Sequence, residues 1–190
     1  MLRHPRTTVN ASYPLVALDI SARVLTHIAR ARAADTGYLL HLPLARSDRW
    51  LPALRSYWNA LGGQIGASMA SAGPPNVDMR TVRVPQAVVE TLATEDVNVI
   101  VARSRLARFD LIVATNVLLY YGPFDQALAL TSIESMLNVG GLFLTNTSLP
   151  DVAGSSLRRI GSQVTLYTTD GRGDEVTWYQ RVAGPATPPD

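Results

Sequence analysis

The stretch FDLIVATNVLLYYGPFDQALALTSIESMLNVGGLFLTNT, residues 109–147, decides the fold of this chain. Its first part, FDLIVATN (109–116), is an apolar run with the length of a buried strand, and it ends in the polar pair Thr115-Asn116. Its last part, LFLTNT (142–147), predicts a second strand, and the residues before it, NVGG (138–141), predict a sharp turn. Gly140-Gly141 follows a helix rather than a strand, which is the reverse of what a phosphate-binding loop needs.

The segment between these two strands predicts a helix. DQALALTSIESML (125–137) has apolar residues at helical spacing, with Leu128, Ile133, Met136 and Leu137 facing inward. A strand, a helix and a strand in succession indicate two parallel strands joined by a crossover.

The same alternation continues toward the N-terminus. LVALDI (15–20) and VNVIVA (97–102) predict further parallel strands. Ser21 stands where the N-cap of a helix over 22–34 belongs. MRTVRVP (79–85) predicts a short strand and QAVVETLATED (86–96) a helix, whereas the rest of 38–80 is an insert whose structure the sequence does not define.

The C-terminal part has a different pattern. GSQVTLYTT (161–169) and DEVTWYQRV (174–182) flank DGRG, which is typical of a β-hairpin. We therefore predict one α/β domain over residues 1–182, with a Rossmann-like, mainly parallel sheet closed by a C-terminal antiparallel hairpin, followed by a flexible tail over 183–190.

Composition excludes several classes of function. The chain has no cysteine, so it can form neither a disulfide nor a thiolate metal site, and its three histidines have no metal-ligand spacing. A net charge of +2 with scattered arginines gives no reason to expect a nucleic-acid partner. The N-terminus lacks the apolar run of a signal peptide and no stretch is long enough to cross a membrane, so we expect a soluble cytoplasmic protein.

Two polar residues at the predicted strands are candidates for ligand binding, because open parallel sheets bind ligands beyond the carboxyl ends of their strands. Asp19 closes the first predicted strand, where its carboxylate could accept hydrogen bonds from both ribose hydroxyls of an adenosyl group. It could instead help cap the helix that begins near Ser21. Asn98 could contact an adenine edge through its amide, or its side chain could be satisfied by the backbone.

The segment over 109–146 resembles the region from the fourth to the fifth strand of class I S-adenosylmethionine-dependent methyltransferases. FDLIVATNVLLYY is especially similar to the corresponding segment of the chemotaxis-receptor glutamate methyltransferases. ALDISARVL is similar to their second strand and following helix, and DVNVI to their segment before the fourth strand. Those enzymes have arginine where this chain has Thr115, so the resemblance does not extend to the methyl acceptor.

The resemblance implies S-adenosylmethionine as cofactor and a set of binding residues. Asp19 would hold the ribose, and Asn98 with Val99 would contact adenine. Thr115 and Asn116 end a strand beside the expected methyl-donor pocket, where Asn116 could bind the methionyl end of the cofactor or the substrate, or could cap a turn. Tyr120 and Tyr121 could wall the substrate pocket, although the apolar run VLLYY also favours the core for at least one of them.

The resemblance also implies two features that this sequence does not contain. The family has a first strand and a glycine-rich loop before the segment that matches VALDI, and residues 1–14 contain no glycine. That first strand lies between the second and fourth, so its absence predicts either a gap in the sheet or direct pairing of those two strands. We expect a truncated or degenerate member.

Three functions remain open on sequence alone. The first is methyl transfer to a small molecule or a protein side chain. The second is a catalytically degenerate, methyltransferase-like binding domain. A nicotinamide-dependent dehydrogenase is less favoured, because GxGxxG is absent and a hairpin ends the chain.

Overall fold

A computed structural model describes residues 15–34, 38–43, 49–69, 79–106 and 108–183. The chain divides into two compact units, Met1–Asp48 with Pro52–Asp96, and Arg49–Leu51 with Val97–Asp190. The single domain over 1–182 stays a prediction. The tail beyond Ala183 lies outside the described residues, as do residues 1–14.

The first unit contains short strands and helices in alternation. In chain order its elements are β1 (Leu15–Asp19), α1 (Ala22–Ala33), β2 (Tyr38–Pro43), α2 (Pro52–Ile65), β3 (Ala67–Met69), β4 (Met79–Val84), α3 (Gln86–Glu90) and β5 (Leu92–Asp96).

Strand β1 and helix α1 follow the sequence prediction. β1 pairs in parallel with β5, with Leu15 opposite Leu92 and Asp19 opposite Asp96. The Ser21 hydroxyl accepts a hydrogen bond from the Val24 N–H, so Ser21 is the N-cap of α1.

The predictions for 86–102 are wrong in two respects. The helix ends at Glu90, and LATED (92–96) forms β5 instead of completing the helix. The predicted strand 97–102 is a turn, in which the Asn98 carbonyl oxygen accepts hydrogen bonds from the N–H groups of Val101 and Ala102. Side-chain bonding from Asn98 to the backbone favours this turn over an extended strand.

The insert over 38–80 forms a small antiparallel sheet with the strand predicted over 79–85, in the order β2-β4-β3. Helix α2 continues through Gly62-Gly63 without a break. Gly66, which follows α2, allows β3 to approach β4, because a Cβ there would overlap the Arg83 carbonyl oxygen. The predicted short strand over 79–85 is confirmed as β4.

The second unit contains the stretch over 109–147, whose pattern predicted a strand, a helix and a strand. Its elements are β6 (Phe109–Ala114), the 3₁₀-helix η1 (Leu118–Tyr120), α4 (Pro123–Met136), β7 (Leu137–Thr145), β8 (Leu157–Leu166) and β9 (Gly173–Arg181). They form a sheet in the order β6-β7-β9-β8, in which β6 and β7 are parallel and β9 is antiparallel to both β7 and β8. The predicted C-terminal hairpin is confirmed.

The predicted turn over 138–141 is wrong, because β7 begins directly after α4. Gly140 has φ +86°, which a glycine adopts without strain. A Cβ on Gly141 would lie 2.9 Å from the Asn138 carbonyl oxygen and 3.1 Å from that of Phe109. The two glycines therefore let an irregular strand pass close to β6, where the pairing register shifts between Phe109 and Leu111.

The described core of the second unit lies between α4 and the sheet. Phe143 and Leu118 are fully buried, and Ile133 is 1% exposed. The prediction that Leu128 faces inward is wrong, because its side chain is 38% exposed while Ala129 and Leu130 are buried. The buried face of α4 follows positions 129, 130, 133 and 136, to which position 128 does not belong.

The described residues thus form a mixed α/β fold with both parallel and antiparallel pairing, which confirms the fold class in its coarse form. The prediction of a mainly parallel sheet is wrong for the described strands. Only the pairs β1–β5 and β6–β7 are parallel, while β2–β4, β3–β4, β7–β9 and β8–β9 are antiparallel. Strands β1 and β6 belong to different sheets, so the direct pairing considered above is not observed.

Candidate functional site

Asp19 lies at the carboxyl end of β1 and is half-buried. Its Oδ1 accepts a hydrogen bond of 2.7 Å from the Ser21 N–H, so the carboxylate does help to shape the start of α1. A carboxylate has two oxygens that can each accept more than one hydrogen bond. The capping bond to one oxygen is therefore compatible with a second partner for Oδ2, and the ribose role stays a prediction.

Asn98 and Val99 lie in the turn that follows the buried Val97, and both are half-buried. The Asn98 Oδ1 accepts a hydrogen bond of 3.1 Å from the Ile100 N–H. The sequence left open that the backbone satisfies the Asn98 side chain, and this hydrogen bond does so for the amide oxygen. The amide nitrogen carries two donors that could still meet a ligand.

Thr115 and Asn116 follow β6 directly, and both side chains are exposed. Asn116 has φ 57°, and it is the one non-glycine residue with positive φ in the described part of the chain. Asparagine tolerates this left-handed conformation better than most residues. The chain bends over 115–117, directly after the strand, which is compatible with the turn that the sequence allowed there.

The structure adds Asn146, which the sequence analysis did not select. It follows β7, the parallel neighbour of β6, where Ala114 pairs with Thr145. The Asn116 N–H donates to Asn146 Oδ1 at 2.8 Å, and the Asn146 Nδ2 donates to Asn116 Oδ1 at 2.8 Å. We call this reciprocal pair the asparagine clasp.

A signal for Asn146 was present in the sequence. Both strands end in the same dipeptide, Thr115-Asn116 after β6 and Thr145-Asn146 within LFLTNT. Two parallel neighbours with the same polar ending bring those residues side by side at one edge of the sheet.

Tyr120 and Tyr121 occupy the segment between β6 and α4. Tyr120 is 75% exposed and Tyr121 is half-buried, whereas Leu118 takes the core position in this segment. The Gln126 Nε2 donates to the carbonyl oxygens of Leu118 and Tyr121, both at 3.1 Å, which ties the segment to α4. Both rings are accessible to a ligand, and their role as pocket walls stays a prediction.

The segment after β7 is anchored by Glu134 of α4. Its carboxylate accepts hydrogen bonds from the hydroxyls of Ser155 (2.7 Å) and Ser156 (2.6 Å) and from the Ser156 N–H (3.0 Å). Partial burial alone would raise the pKa of Glu134, but these hydrogen bonds and the charge of Arg181 outweigh it and lower the pKa below its ordinary value. The anchor fixes the far end of the segment that begins at Asn146.

The structure brings three of these polar residues together in the second unit. Thr115, Asn116 and Asn146 share one edge of the second unit, whereas Asp19 belongs to the first unit.

No group of three histidine, aspartate or glutamate residues suited to a metal ion occurs in the described ranges. Within the same ranges, no helix is long and apolar enough to cross a membrane.

Comparisons with known proteins give weak likeness only. No family model and no curated protein matches the chain. Among solved structures, N-methyltransferase NodS from Bradyrhizobium japonicum WM9, in complex with S-adenosyl-L-homocysteine, matches with a TM-score of 0.38 and 13% identity over 52% of this chain and 63% of that chain. The matched part spans less than two thirds of NodS in that structure.

A second neighbour covers more of the chain at a lower score. The glycopeptide N-methyltransferase MtfA matches with a TM-score of 0.30 and 14% identity over 90% of this chain and 78% of that chain. Both likenesses are too low to indicate a function.

Proposed function

We propose that this protein is an S-adenosylmethionine-dependent methyltransferase that acts on a small molecule or a protein side chain. The observation that carries the proposal is the sheet order β6-β7-β9-β8, in which an antiparallel hairpin closes a parallel pair. This is the plan expected of the family that FDLIVATNVLLYY resembles. The described polar strand ends supply groups that a nucleoside and an amino acid need.

The proposed contacts are those that the sequence resemblance implies. Asp19 holds the ribose hydroxyls through Oδ2, while Oδ1 stays with the Ser21 N–H. Asn98 and Val99 contact adenine, with the Asn98 amide nitrogen as donor. Thr115 and Asn116 receive the methionyl end, and Asn116, Tyr120 and Tyr121 border the methyl acceptor.

Methyl transfer requires the protein mainly to bind the cofactor and the acceptor and to align them. The cofactor supplies a methyl group that its sulfonium activates. The lone pair of the acceptor atom forms a bond to this methyl carbon, while the carbon–sulfur bond breaks and its electrons stay on sulfur. An acceptor that carries a proton loses it to solvent or to a nearby base. The protein's part is to hold the acceptor in line, which is worth several kcal/mol by proximity alone, up to about 7–11 kcal/mol in well-oriented systems.

The proposal is tested first by binding of S-adenosylhomocysteine to the full chain in titration calorimetry. Asp19→Asn keeps an oxygen for the Ser21 N–H but removes the charge and one acceptor, so we expect about tenfold weaker binding or more. Glu90→Gln makes the same change at an exposed helix end and should bind as the wild type does. Equal affinity of Asp19→Asn and wild type would reject the ribose role of Asp19.

A second measurement separates an enzyme from a degenerate binding domain. Transfer of a labelled methyl group from S-adenosylmethionine to small amines, carboxylates and peptides measures turnover directly. Binding without transfer to any acceptor would favour the degenerate domain, and a wild-type chain that binds neither S-adenosylhomocysteine nor adenosine would overturn the proposal.

A further inference from the structure

The asparagine clasp fixes which face of the Asn116 amide is presented outward. The Asn116 backbone N–H can only donate, so the atom of Asn146 that it meets at 2.8 Å must be the carbonyl oxygen Oδ1. The other end of that amide, Nδ2, can only donate in turn, so its partner on Asn116 at 2.8 Å must be Oδ1. A single backbone donor thus sets the orientation of both side-chain amides.

As a consequence, the Asn116 side chain presents a hydrogen-bond donor, and not an acceptor, at the end of β6. Because the oxygen of the Asn116 amide is turned toward Asn146, the Nδ2–H₂ group lies on the other side of the amide. Asn116 is exposed, so this donor group is accessible. The left-handed backbone at φ 57° aims the side chain in a direction that an ordinary strand ending would not give.

We propose that Asn146 is a positioning residue that holds Asn116 as a hydrogen-bond donor for the carboxylate of the methionyl end of the cofactor. This inference rests on the proposed function. Within it, the methionyl end brings one strong acceptor, the carboxylate, and one donor, the ammonium group. An amide fixed with its nitrogen outward favours the carboxylate, because a charged acceptor makes a stronger hydrogen bond than a neutral one.

The test compares two ligands that differ in the amino-acid part. S-Adenosylhomocysteine carries the carboxylate, and 5′-methylthioadenosine has the adenosyl thioether without it. Asn116→Asp keeps an oxygen for Asn146 but presents an oxygen outward. Asn146→Asp keeps an acceptor for the Asn116 N–H but can no longer donate, so the Asn116 amide turns over and also presents its oxygen. Both variants replace a donor by an acceptor.

We expect both variants to bind S-adenosylhomocysteine about tenfold more weakly, or weaker still, than the wild type does. Their affinity for 5′-methylthioadenosine should stay within about twofold of the wild-type affinity. Asn146→Ala leaves the Asn116 amide free to turn, so a smaller loss, again confined to S-adenosylhomocysteine, is expected. Ser148→Asp adds the same negative charge at an exposed position two residues beyond Asn146 and controls for general repulsion.

The outcomes separate the inference from the proposed function. Equal losses for both ligands would show a merely structural role and overturn the inference, as would unchanged affinity for S-adenosylhomocysteine or an equal loss in Ser148→Asp. A wild type that binds neither ligand would reject the proposed function as well. Side-chain amide signals in ¹⁵N–¹H spectra of the ligand-free protein check the clasp itself. Asn116→Ala removes the oxygen that accepts from the Asn146 Nδ2, so the side-chain amide signal of Asn146 should shift.

Discussion

At the scale of single residues, Glu134 shows how one carboxylate orders a long connection. It accepts three hydrogen bonds from Ser155 and Ser156, at the end of the segment that leads from β7 to β8. The lowered pKa means that the folded protein favours the ionised form. Since the folded pKa lies below the ordinary value of 4.5, the stabilisation is complete above about pH 4.5 and is lost as the pH falls through the folded pKa.

We therefore predict that Glu134→Gln lowers the free energy of unfolding at pH 7 by about 1 kcal/mol, because the site is half-buried and a charged hydrogen-bond acceptor is lost. The difference from wild type should shrink below pH 4. Urea denaturation at both pH values measures it, with Glu90→Gln as an exposed control. A difference that stays constant from pH 7 to pH 3 would contradict the role of the ionised carboxylate.

At the scale of elements, the sequence predicted those segments whose own residues determine their form. The cap at Ser21, the apolar run of β6 and the DGRG hairpin each depend on neighbours in the chain, and each is observed. The segment 97–102 is as apolar as a strand, but the side chain of Asn98 bonds to the Ile100 N–H and bends it into a turn.

The candidate site could be predicted in part for the same reason. The polar ending Thr115-Asn116 is visible in the sequence, and so is the same dipeptide at Thr145-Asn146. That the two asparagines lie side by side follows only from the register, which pairs Ala114 with Thr145. Likewise, the sequence predicted a turn instead of a strand at Gly140-Gly141, because the carbonyl oxygens that exclude a side chain there belong in part to Phe109 and Asp110 of β6.

This close approach gives a prediction for the strand pair β6–β7. Gly141→Ala should lower the free energy of unfolding by about 1–3 kcal/mol, because the new Cβ would lie 2.9 Å from the Asn138 carbonyl oxygen and 3.1 Å from that of Phe109. Gly63→Ala is the matched control: it lies inside α2 with nothing within 4 Å of the new Cβ, and it should stabilise by about 0.5–1 kcal/mol. Thermal unfolding of both variants measures the contrast, and a neutral Gly141→Ala would show that β7 can move away from β6.

At the scale of the whole molecule, burial is uneven between the two units. Among the described residues, the fully buried large apolar side chains are those of Phe143, Leu118, Ile133, Met136 and Leu137 in the second unit, and of Val82 in the first. Helices α1 and α4 make a direct comparison, with 12 and 14 residues. Helix α4 has four buried residues and α1 has none.

Helices of similar length form similar numbers of backbone hydrogen bonds, so the difference in their local stability must come from the apolar surface that opening exposes. Opening α1 exposes little new surface, whereas opening α4 removes Ile133 and Met136 from the core. We predict that the amides of α1 exchange with solvent deuterium about a hundredfold faster than those of α4, after correction for intrinsic rates. Mass spectrometry of peptic fragments measures this. Equal protection of both helices would mean that α1 opens only when the whole chain unfolds, and that its stability has a source other than the burial of its own side chains.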